Sequence, residues 1–268
     1  MPIRTEKDGG VWTIIHSRPQ ARNAMDPEHA QALYDAFLTF EADDSASVAV
    51  FWGDGGAFCA GWDLKNAAQR DPDGTDGRMS DLALAPDERG HIIGPMGPSR
   101  LELSKPVIAA VEGPAVAGGM ELAMWADMRV MAETAFMGVY CRRWGVPLID
   151  GGTVRLPRLV GEGRAMDLIL TGRRVDAEEC LQIGLCEYVV PEGEARAKAE
   201  ELARQISRFP QKCMNADRRS LKAQHGLPMR AALHSEWTIS SAMVAEEGIA
   251  GAARFAAGKG RGGDYGDI

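Results

Sequence analysis

Apolar runs bounded by turn residues dominate the first half of the chain. Val11 to His16 and Val48 to Trp52 are rich in β-branched and aromatic residues, and Arg18-Pro19 and Gly53-Asp54-Gly55-Gly56 follow them. This pattern predicts two buried strands, each ending in a turn. Lys105 to Gly113 predicts another strand by the same criteria.

Helical patterns separate these strands. Asp26-Pro27 is typical of a helix start, and Leu33, Phe37 and Phe40 then recur on one helical face. Strand and helix patterns alternate in this way to about residue Gly138. The alternation predicts an α/β fold of βα or ββα units with mostly parallel strands.

From Gly163 onward the pattern becomes mainly helical, and Cys186 to Val190 is the only strand predicted there. The predicted helices are Ala165 to Leu170, Asp176 to Ile183, Glu194 to Ser207, Gln211 to Gln224, and Pro228 toward Phe255. The last one has an apolar face that suits either a core or a subunit contact, formed by Met229, Leu233, Trp237, Ile239, Met243 and Val244. We therefore predict an α/β core at residues 1–200 and a helical region at 201–268.

Composition narrows the class of protein. The chain has 268 residues, 45% of them hydrophobic, and a formal net charge of -8 without a basic block, which argues against nucleic acid as a main partner. It shows neither a secretory signal nor an apolar run of membrane-spanning length, so we expect a cytoplasmic protein without membrane association. Five cysteines without metal-ligand spacing predict reduced thiols and no metal site.

Candidate chemistry is concentrated where predicted strands turn into helices. Gly118-Gly119 opens an apolar helix with Glu121 on its first turn, which predicts an anion site of backbone N–H groups with an acid/base beside it. The alternative is a tight turn with a capping glutamate. Ala57 to Lys65 is a second such junction, and the two can lie side by side at one sheet edge.

Several motifs resemble one family. Phe58 to Lys65 and Ala115 to Ala123 are similar, in order and separation, to the two signature segments of the enoyl-CoA hydratase/isomerase (crotonase) family. Arg18 to Met25, Gly151 to Arg158, and Leu170-Thr171-Gly172-Arg173 with Gly184-Leu185 extend the resemblance over nearly the whole chain. It implies a crotonase-like (ClpP/crotonase) fold of repeated ββα units, with a C-terminal helical region that makes homotrimers or hexamers.

The resemblance also implies a mechanism. The backbone amides of Trp62 and Gly118 would hold the thioester oxygen of an acyl-CoA, and an enolate-like anion would form under their protection. Such donors favour the transition state, because the thioester oxygen gains its charge only there. Glu121 would be the principal acid/base, and no cofactor is implied beyond the coenzyme A of the substrate.

The chain departs from the family pattern at the second acid. Hydratases of the family carry a second glutamate, and aligning Gly145 and Gly151-Gly152-Thr153 places Cys141 at that position. A thiol is a poor substitute, so Cys141 is expected to line the acyl pocket. We expect Asp150 to supply the second carboxylate, as an aspartate near this position does in some relatives; the alternative is that Asp150 only caps the following helix.

The family resemblance assigns binding of the CoA portion to two segments of this chain. Arg22 and Lys65 lie where family members place cations near the nucleotide phosphates, although either could be only a solvated surface charge. The predicted binding residues are Arg22, Ala24, Ala60, Asp63, Leu64, Lys65 and Cys141. Lys259 and Arg261 of a neighbouring subunit could assist.

Turn residues interrupt any regular pattern between Asn66 and Arg100. We interpret this segment as a mobile flap over the acyl site, with an ordinary surface excursion as the alternative. Its apolar residues suited to packing on a ligand or neighbour are Met79, Leu82, Leu84, Ile92, Ile93 and Met96.

Hydration of a 2-enoyl-CoA is the first choice of reaction. Because only Glu121 is matched to the family's acid pair, double-bond isomerisation of an enoyl-CoA or dienoyl-CoA is the enzymatic alternative. A weakly catalytic acyl-CoA-binding protein or an assembly component is the alternative of a different class.

Overall fold

The chain divides into two compact units, Met1–Ala203 and Arg204–Ile268, in a computed structural model that describes residues 3–69, 86 and 90–260. The strands are β1 (Ile3–Asp8), β2 (Val11–His16), β3 (Val48–Gly53), β4 (Val107–Val111), β5 (Ala115–Val116), β6 (Met128–Ala132), β7 (Phe136–Gly138), β8 (Arg174–Asp176) and β9 (Tyr188–Val190). The helices are α1 (Pro27–Ala42), α2 (Leu64–Ala67), α3 (Gly118–Trp125), α4 (Gly152–Val160), α5 (Glu162–Thr171), α6 (Ala177–Ile183), α7 (Ala195–Ser207), α8 (Gln211–Ala223), α9 (Met229–Ser240) and α10 (Ile249–Ala256).

The first unit contains the main sheet, with strand order β1, β2, β3, β4, β6, β9. β1 pairs antiparallel with β2, and each later neighbour is parallel, which confirms the predicted mostly parallel α/β arrangement. The run β1-β2-α1 and the run β4-β5-α3 are ββα units. β3 and β4 are parallel neighbours, so their carboxyl ends meet at the same edge of the sheet.

Burial explains why the central strands were predicted correctly. β2 and β4 are buried along their whole length because helices and loops cover both faces of the sheet. On α1, Leu33, Phe37 and Phe40 are buried, as the helical periodicity predicts. Asp26 is the N-cap of α1, and its carboxylate accepts a hydrogen bond from the His29 backbone N–H at 2.9 Å.

Sequence reasoning set no bounds for β5, β6 and β7 within the alternating pattern, and it missed β1 and β8 entirely. β1 is polar and mostly exposed, because it is an edge strand held by its pairing with β2. β8 is a short strand that pairs with β7 in a second sheet of order β5, β7, β8. The prediction that Cys186 to Val190 is the only strand after Gly163 is therefore wrong.

The second unit is helical among its described residues. The helix predicted from Pro228 toward Phe255 is not continuous, because a π-helical turn at Val244–Gly248 separates α9 from α10. Carboxylates of this turn bind the start of α8: Glu247 accepts from the Cys213 backbone N–H at 2.7 Å, and Glu246 pairs with Lys212 at 2.7 Å. These contacts join the π-helical turn to α8 within the second unit.

No helix among the described residues is both long and apolar enough to cross a membrane. Within the same residues, no group of His, Cys, Asp and Glu side chains is arranged to hold a metal ion.

Candidate active site

The two predicted strand-to-helix junctions lie against each other. The backbone of Cys59, after β3, accepts a hydrogen bond from the Val116 N–H and donates one to the Pro114 carbonyl, each at 3.0 Å. A Cβ atom added at Gly119 would lie 2.7 Å from the Cys59 carbonyl carbon, closer than real Cβ atoms approach a neighbour. Glycine is therefore required where the Cys59 backbone crosses the first turn of α3.

The backbone at Trp62 lies close to that of Gly118. Gly118 is the first residue of α3, so its N–H has no partner within the helix. A Cβ atom added at Gly61, which has φ of +89°, would lie 3.1 Å from the Gly118 nitrogen. Trp62 follows directly and forms a β-bridge with Met25. The structure thus brings together the two peptide units predicted to bind the thioester oxygen.

Backbone strain occurs at the same point. Ala117 has φ of 54° and ψ of -125°, a conformation that costs a non-glycine residue about 1–3 kcal/mol. Hydrogen bonds hold it: its N–H donates to the Gly138 carbonyl at 2.8 Å, and its carbonyl accepts from the Met120 N–H at 3.0 Å. Ala117 therefore fixes the direction of the peptide unit that carries the Gly118 N–H.

Glu121 is buried and is bound by a loop distant in sequence. Its Oε1 atom accepts hydrogen bonds from the backbone N–H groups of Asp150, at 3.0 Å, and Gly152, at 2.7 Å. Burial, and next the charge of Asp150, raise the pKa of Glu121 to about 7. The N-cap residue of α3 is Ala117, and the Glu121 carboxyl group binds the distant loop instead, so the structure does not support the alternative of a capping glutamate.

Asp150 is also buried, and its backbone N–H binds the Glu121 carboxyl group. Its Oδ1 atom accepts hydrogen bonds from the Met96 N–H, at 3.0 Å, and from the Ser99 hydroxyl. Burial raises the pKa of Asp150, and these two donors oppose the rise. The expectation that Asp150 could merely cap a helix is corrected, since Gly151 is the N-cap of α4 and no side chain caps that helix. Long-range donors from the 90–100 segment hold the carboxylate instead.

Cys141 lies in a 3₁₀ turn, Tyr140–Trp144, and is buried. Burial, and then the nearby charge of Glu121, raise the pKa of the Cys141 thiol. The thiol therefore stays protonated at neutral pH and cannot act as a base there.

The predicted CoA-binding residues come from two segments that pair with each other. Backbone hydrogen bonds connect the Ala60 N–H to the Arg22 carbonyl at 3.0 Å, and the Asp63 N–H to the Met25 carbonyl at 2.8 Å. Lys65 and Arg22 are both exposed. This pairing brings together Arg22, Ala24, Ala60, Asp63, Leu64 and Lys65 in one region of the first unit.

Asp63 has a structural function within that region. It is the N-cap of α2, accepts from the Lys65 N–H at 2.9 Å, and pairs with Arg18 at 2.7 Å. Burial raises the pKa of Asp63, but the Arg18 guanidinium and backbone N–H groups outweigh it and hold the pKa below its usual range. Lys259 follows α10 in the second unit, and Arg261 lies outside the described residues.

Positioning residues were missed by sequence reasoning. The buried Asn23 amide donates to the carbonyls of Asp54, at 2.8 Å, and Ala57, at 2.7 Å, and so connects two loops. Ser99, 51 residues away in sequence, and Arg155, on the following helix, also bind Asp150. The family-like segments Arg18 to Met25 and Gly151 to Arg158 contain Asn23 and Arg155 and could have drawn attention to these two residues. No local sequence pattern distinguishes Ser99.

Part of the predicted flap can be described. Met79, Leu82 and Leu84 lie outside the described residues. Met96 is buried, and a Cβ atom added at Gly118 would lie 2.5 Å from its sulfur, so this side chain packs against the start of α3.

Comparison with known proteins identifies similar chains. The family model described as enoyl-CoA hydratase/isomerase matches residues 6–258. The enoyl-CoA hydratase EchA19 of Mycobacterium tuberculosis is 36% identical over 230 residues, covering 83% of this chain and 81% of the relative. The carnitinyl-CoA dehydratase of Salmonella typhi is 38% identical over 209 residues, covering 76% of this chain and 74% of the relative.

Solved structures agree with the sequence relatives. An enoyl-CoA hydratase from Mycobacterium tuberculosis H37Rv superposes with a TM-score of 0.84 at 30% identity, covering 95% of each chain. An enoyl-CoA hydratase from Bacillus anthracis has a TM-score of 0.84 at 27% identity, covering 96% of each chain. The fold expected from the sequence resemblance is therefore confirmed.

Proposed function

Because the chain belongs to the enoyl-CoA hydratase/isomerase family, we infer that it is a lyase that hydrates the double bond of a 2-enoyl-CoA thioester. One observation carries this choice of reaction. Two buried carboxyl groups, Glu121 and Asp150, lie together beside the junction of residues 61 and 118. Adding water to a double bond requires one proton removal and one proton delivery, which such a pair can provide.

The thioester oxygen binds the backbone N–H groups of Trp62 and Gly118. When water oxygen adds to the β-carbon, the π electrons move toward the thioester and its oxygen becomes negative. Donors fixed by Ala117 and the start of α3 stabilise that charge without reorganising, and removing one such donor typically costs about 10²–10³ in rate.

Glu121 and Asp150 move the protons. A base takes one proton from the attacking water, and an acid then delivers one proton to the α-carbon, so the product gains the elements of water. Glu121, with a pKa of about 7, can exist in either protonation state at neutral pH. The donors from Met96 and Ser99 favour the ionised form of Asp150, which suits it to be the second acid/base group.

The CoA portion binds along the paired segments that contain Arg22 and Lys65. Their cations suit the nucleotide phosphates, and Ala24, Ala60 and Leu64 provide small or apolar contacts beside them. Asp63 contributes by holding the start of α2, since Arg18 already binds its carboxylate. The reaction needs no cofactor besides the CoA carried by the substrate.

Double-bond isomerisation is the second candidate, and Cys141 is the observation that favours it. A protonated thiol stands where a hydratase of this family has a glutamate, so Glu121 could work alone and carry one proton between two carbons. A binding protein with little catalysis is the third.

We also propose that the chain forms homotrimers or hexamers through its C-terminal helical region. Large apolar side chains are exposed there in the single chain, including Met229 at 76%, Trp237 at 71% and Ile249 at 64%. Such exposure is typical of a subunit contact. Light scattering coupled to size-exclusion chromatography should give a trimer or hexamer mass, and a monomer at micromolar concentration would refute this.

The reaction is tested with a short 2-enoyl-CoA by following loss of ultraviolet absorbance and the product mass. We expect a water adduct from the wild type, and a decrease of about 10²–10⁴-fold in Glu121→Gln with thioester binding retained. Asp150→Asn should slow turnover much more than Cys141→Ala. Glu162→Gln, an exposed carboxylate on α5, is the matched control.

The outcomes separate hydration from the other two candidates and test the assigned residues. No adduct from a wild type that binds the thioester would exclude hydration and favour isomerisation or simple binding. A fully active Glu121→Gln would refute the assigned acid/base. If Cys141→Ala is the more damaging change, the second group is assigned to the wrong residue.

A further inference from the structure

Arg155 connects the two peptide segments that hold the acid pair. It lies on the first turn of α4, and its Nη1 atom donates a hydrogen bond to the Asp150 carbonyl at 2.7 Å. Its Nη2 atom donates to the Ser99 carbonyl, also at 2.7 Å. One planar guanidinium therefore joins segments that are 51 residues apart in sequence.

The backbone next to Arg155 leaves room for this arrangement. Gly151 has φ of +96°, and a Cβ atom there would lie 2.8 Å from the Arg155 Cζ atom. The guanidinium thus packs against a bare α-carbon in a left-handed conformation that favours glycine. The Arg155 N–H also bonds the Gly151 carbonyl, at 2.8 Å, as the helix begins.

Both residues whose carbonyls bind Arg155 also donate to the acids. The Asp150 N–H donates to Glu121, and the Ser99 hydroxyl donates to Asp150. We propose that Arg155 is a positioning residue, which orients these two donors through their carbonyl groups and keeps a positive charge beside the buried acid pair. This role rests on the proposed function, because it assigns Arg155 to the same acid pair.

Charged groups of both signs surround this cluster. Arg155 faces the four groups Glu121, Asp150, Arg158 and Glu102. Asp150 also faces Arg100, and Glu121 also faces the Cys141 thiol. Arg155 acts on both acids, and its charge lowers the pKa of each against the larger effect of burial.

The test uses Arg155→Gln and Arg155→Lys, with Arg158→Gln as the matched control. Arg158 is an exposed arginine on the same helix, so its replacement removes the same charge without touching the two carbonyls. Isotope-edited infrared spectroscopy follows carboxyl protonation during a pH titration, and the signal lost in Glu121→Gln assigns that group. The same proteins are assayed for kcat and KM across pH, and their folding is checked by thermal unfolding.

We expect the pKa of Glu121 to rise in Arg155→Gln, to rise by less in Arg155→Lys, and to stay unchanged in Arg158→Gln. Because a lysine cannot reproduce the planar fork, Arg155→Lys should lower kcat about tenfold and leave KM nearly unchanged. These two results together support the positioning role.

Other outcomes overturn it. If the Glu121 carboxyl group titrates as in the wild type in a folded Arg155→Gln, the role of Arg155 is purely structural. If Arg155→Gln does not fold, a lysine variant with wild-type titration and kcat would refute the role by itself. The infrared titration needs no turnover, so a wild type without hydratase activity would defeat the proposed reaction while the positioning role is still decided.

Discussion

Gly119→Ala is the sharpest test of how the two junctions build the site. Gly119 is the second residue of α3 and is buried against the Cys59 backbone. The added methyl group would lie 2.7 Å from the Cys59 carbonyl carbon and 2.8 Å from its Cβ atom. Backbone cannot rotate away as a side chain can, so α3 and the Cys59 segment must separate.

The size of the effect follows from these distances. Ordinary van der Waals contact begins at 3.4 Å, so the carbonyl carbon must move by about 0.7 Å, and its oxygen by more. Overpacking of this kind costs about 1–3 kcal/mol, partly offset by the roughly 1 kcal/mol by which alanine exceeds glycine in helix propensity. A displacement near 1 Å between catalytic groups can reduce the rate about 100-fold, equivalent to about 2.7 kcal/mol of transition-state stabilisation.

The assay compares three glycine substitutions in helices. Gly163→Ala on α5 meets nothing within 4 Å and should keep full activity with unchanged or slightly higher stability. Gly118→Ala meets the flexible Met96 side chain and should be intermediate. Gly119→Ala should lose about 100-fold in kcat/KM with a short 2-enoyl-CoA while remaining folded. A folded Gly119→Ala with wild-type kcat/KM would refute the assignment of this junction to the oxyanion site.

Three further predictions concern stability. Glu121→Gln keeps the Oε1 acceptor but removes a carboxyl group whose pKa is about 7 in the folded protein against an ordinary 4.5. Ionising this group destabilises the folded wild type as pH rises from 4.5 to 7. Urea unfolding should therefore find the variant up to about 3 kcal/mol more stable than the wild type at about pH 8, and equally stable at about pH 4. Burial lowers the pKa of His16 from 6.5 to about 3. The free energy of unfolding should therefore fall by about 1.4 kcal/mol per pH unit as pH decreases from 6.5 to 3, because the unfolded chain binds this proton first. His16→Gln should reduce this dependence on pH, and the same dependence in the variant would contradict the burial argument. Arg129→Met removes the guanidinium from the carbonyls of Leu185 and Ala126 and should cost about 2–4 kcal/mol, because the two buried acceptors lose their partner while the exposed Glu187 stays solvated. Urea unfolding measures this cost, and an unchanged midpoint would show that the buried guanidinium is dispensable.

The central elements could be predicted because their signals are local. β2, β3 and β4 are apolar runs that end at turn residues, and α1 has both a cap and a helical period. β1 could not be predicted because its polar residues form a strand only by pairing with β2. An edge strand is stabilised by its partner, and a single sequence does not state the partner.

In the candidate site, too, local features could be predicted from the sequence and long-range contacts could not. Gly118-Gly119 before Glu121 indicated a helix N-terminus with a carboxyl group beside it, since both features depend on adjacent residues. The nearness of Asp150 to Glu121 depends on a helix and a loop that are 29 residues apart, and the bonds of Asp150 to Met96 and Ser99 span more than 50 residues. The sequence left two alternatives for Asp150, and tertiary contacts decided against the helix cap.

The sequence by itself determined the α/β pattern, the paired glycine junctions and the chemical identity of the acids. Only the tertiary structure decided that Glu121 and Asp150 share one buried space, that Cys141 remains a protonated thiol, and that Arg155 connects both sides. The physical reason is the separation along the sequence over which each effect acts. Turn geometry and hydrophobic periodicity act over a few residues, whereas burial and charge coupling depend on segments that meet only after folding.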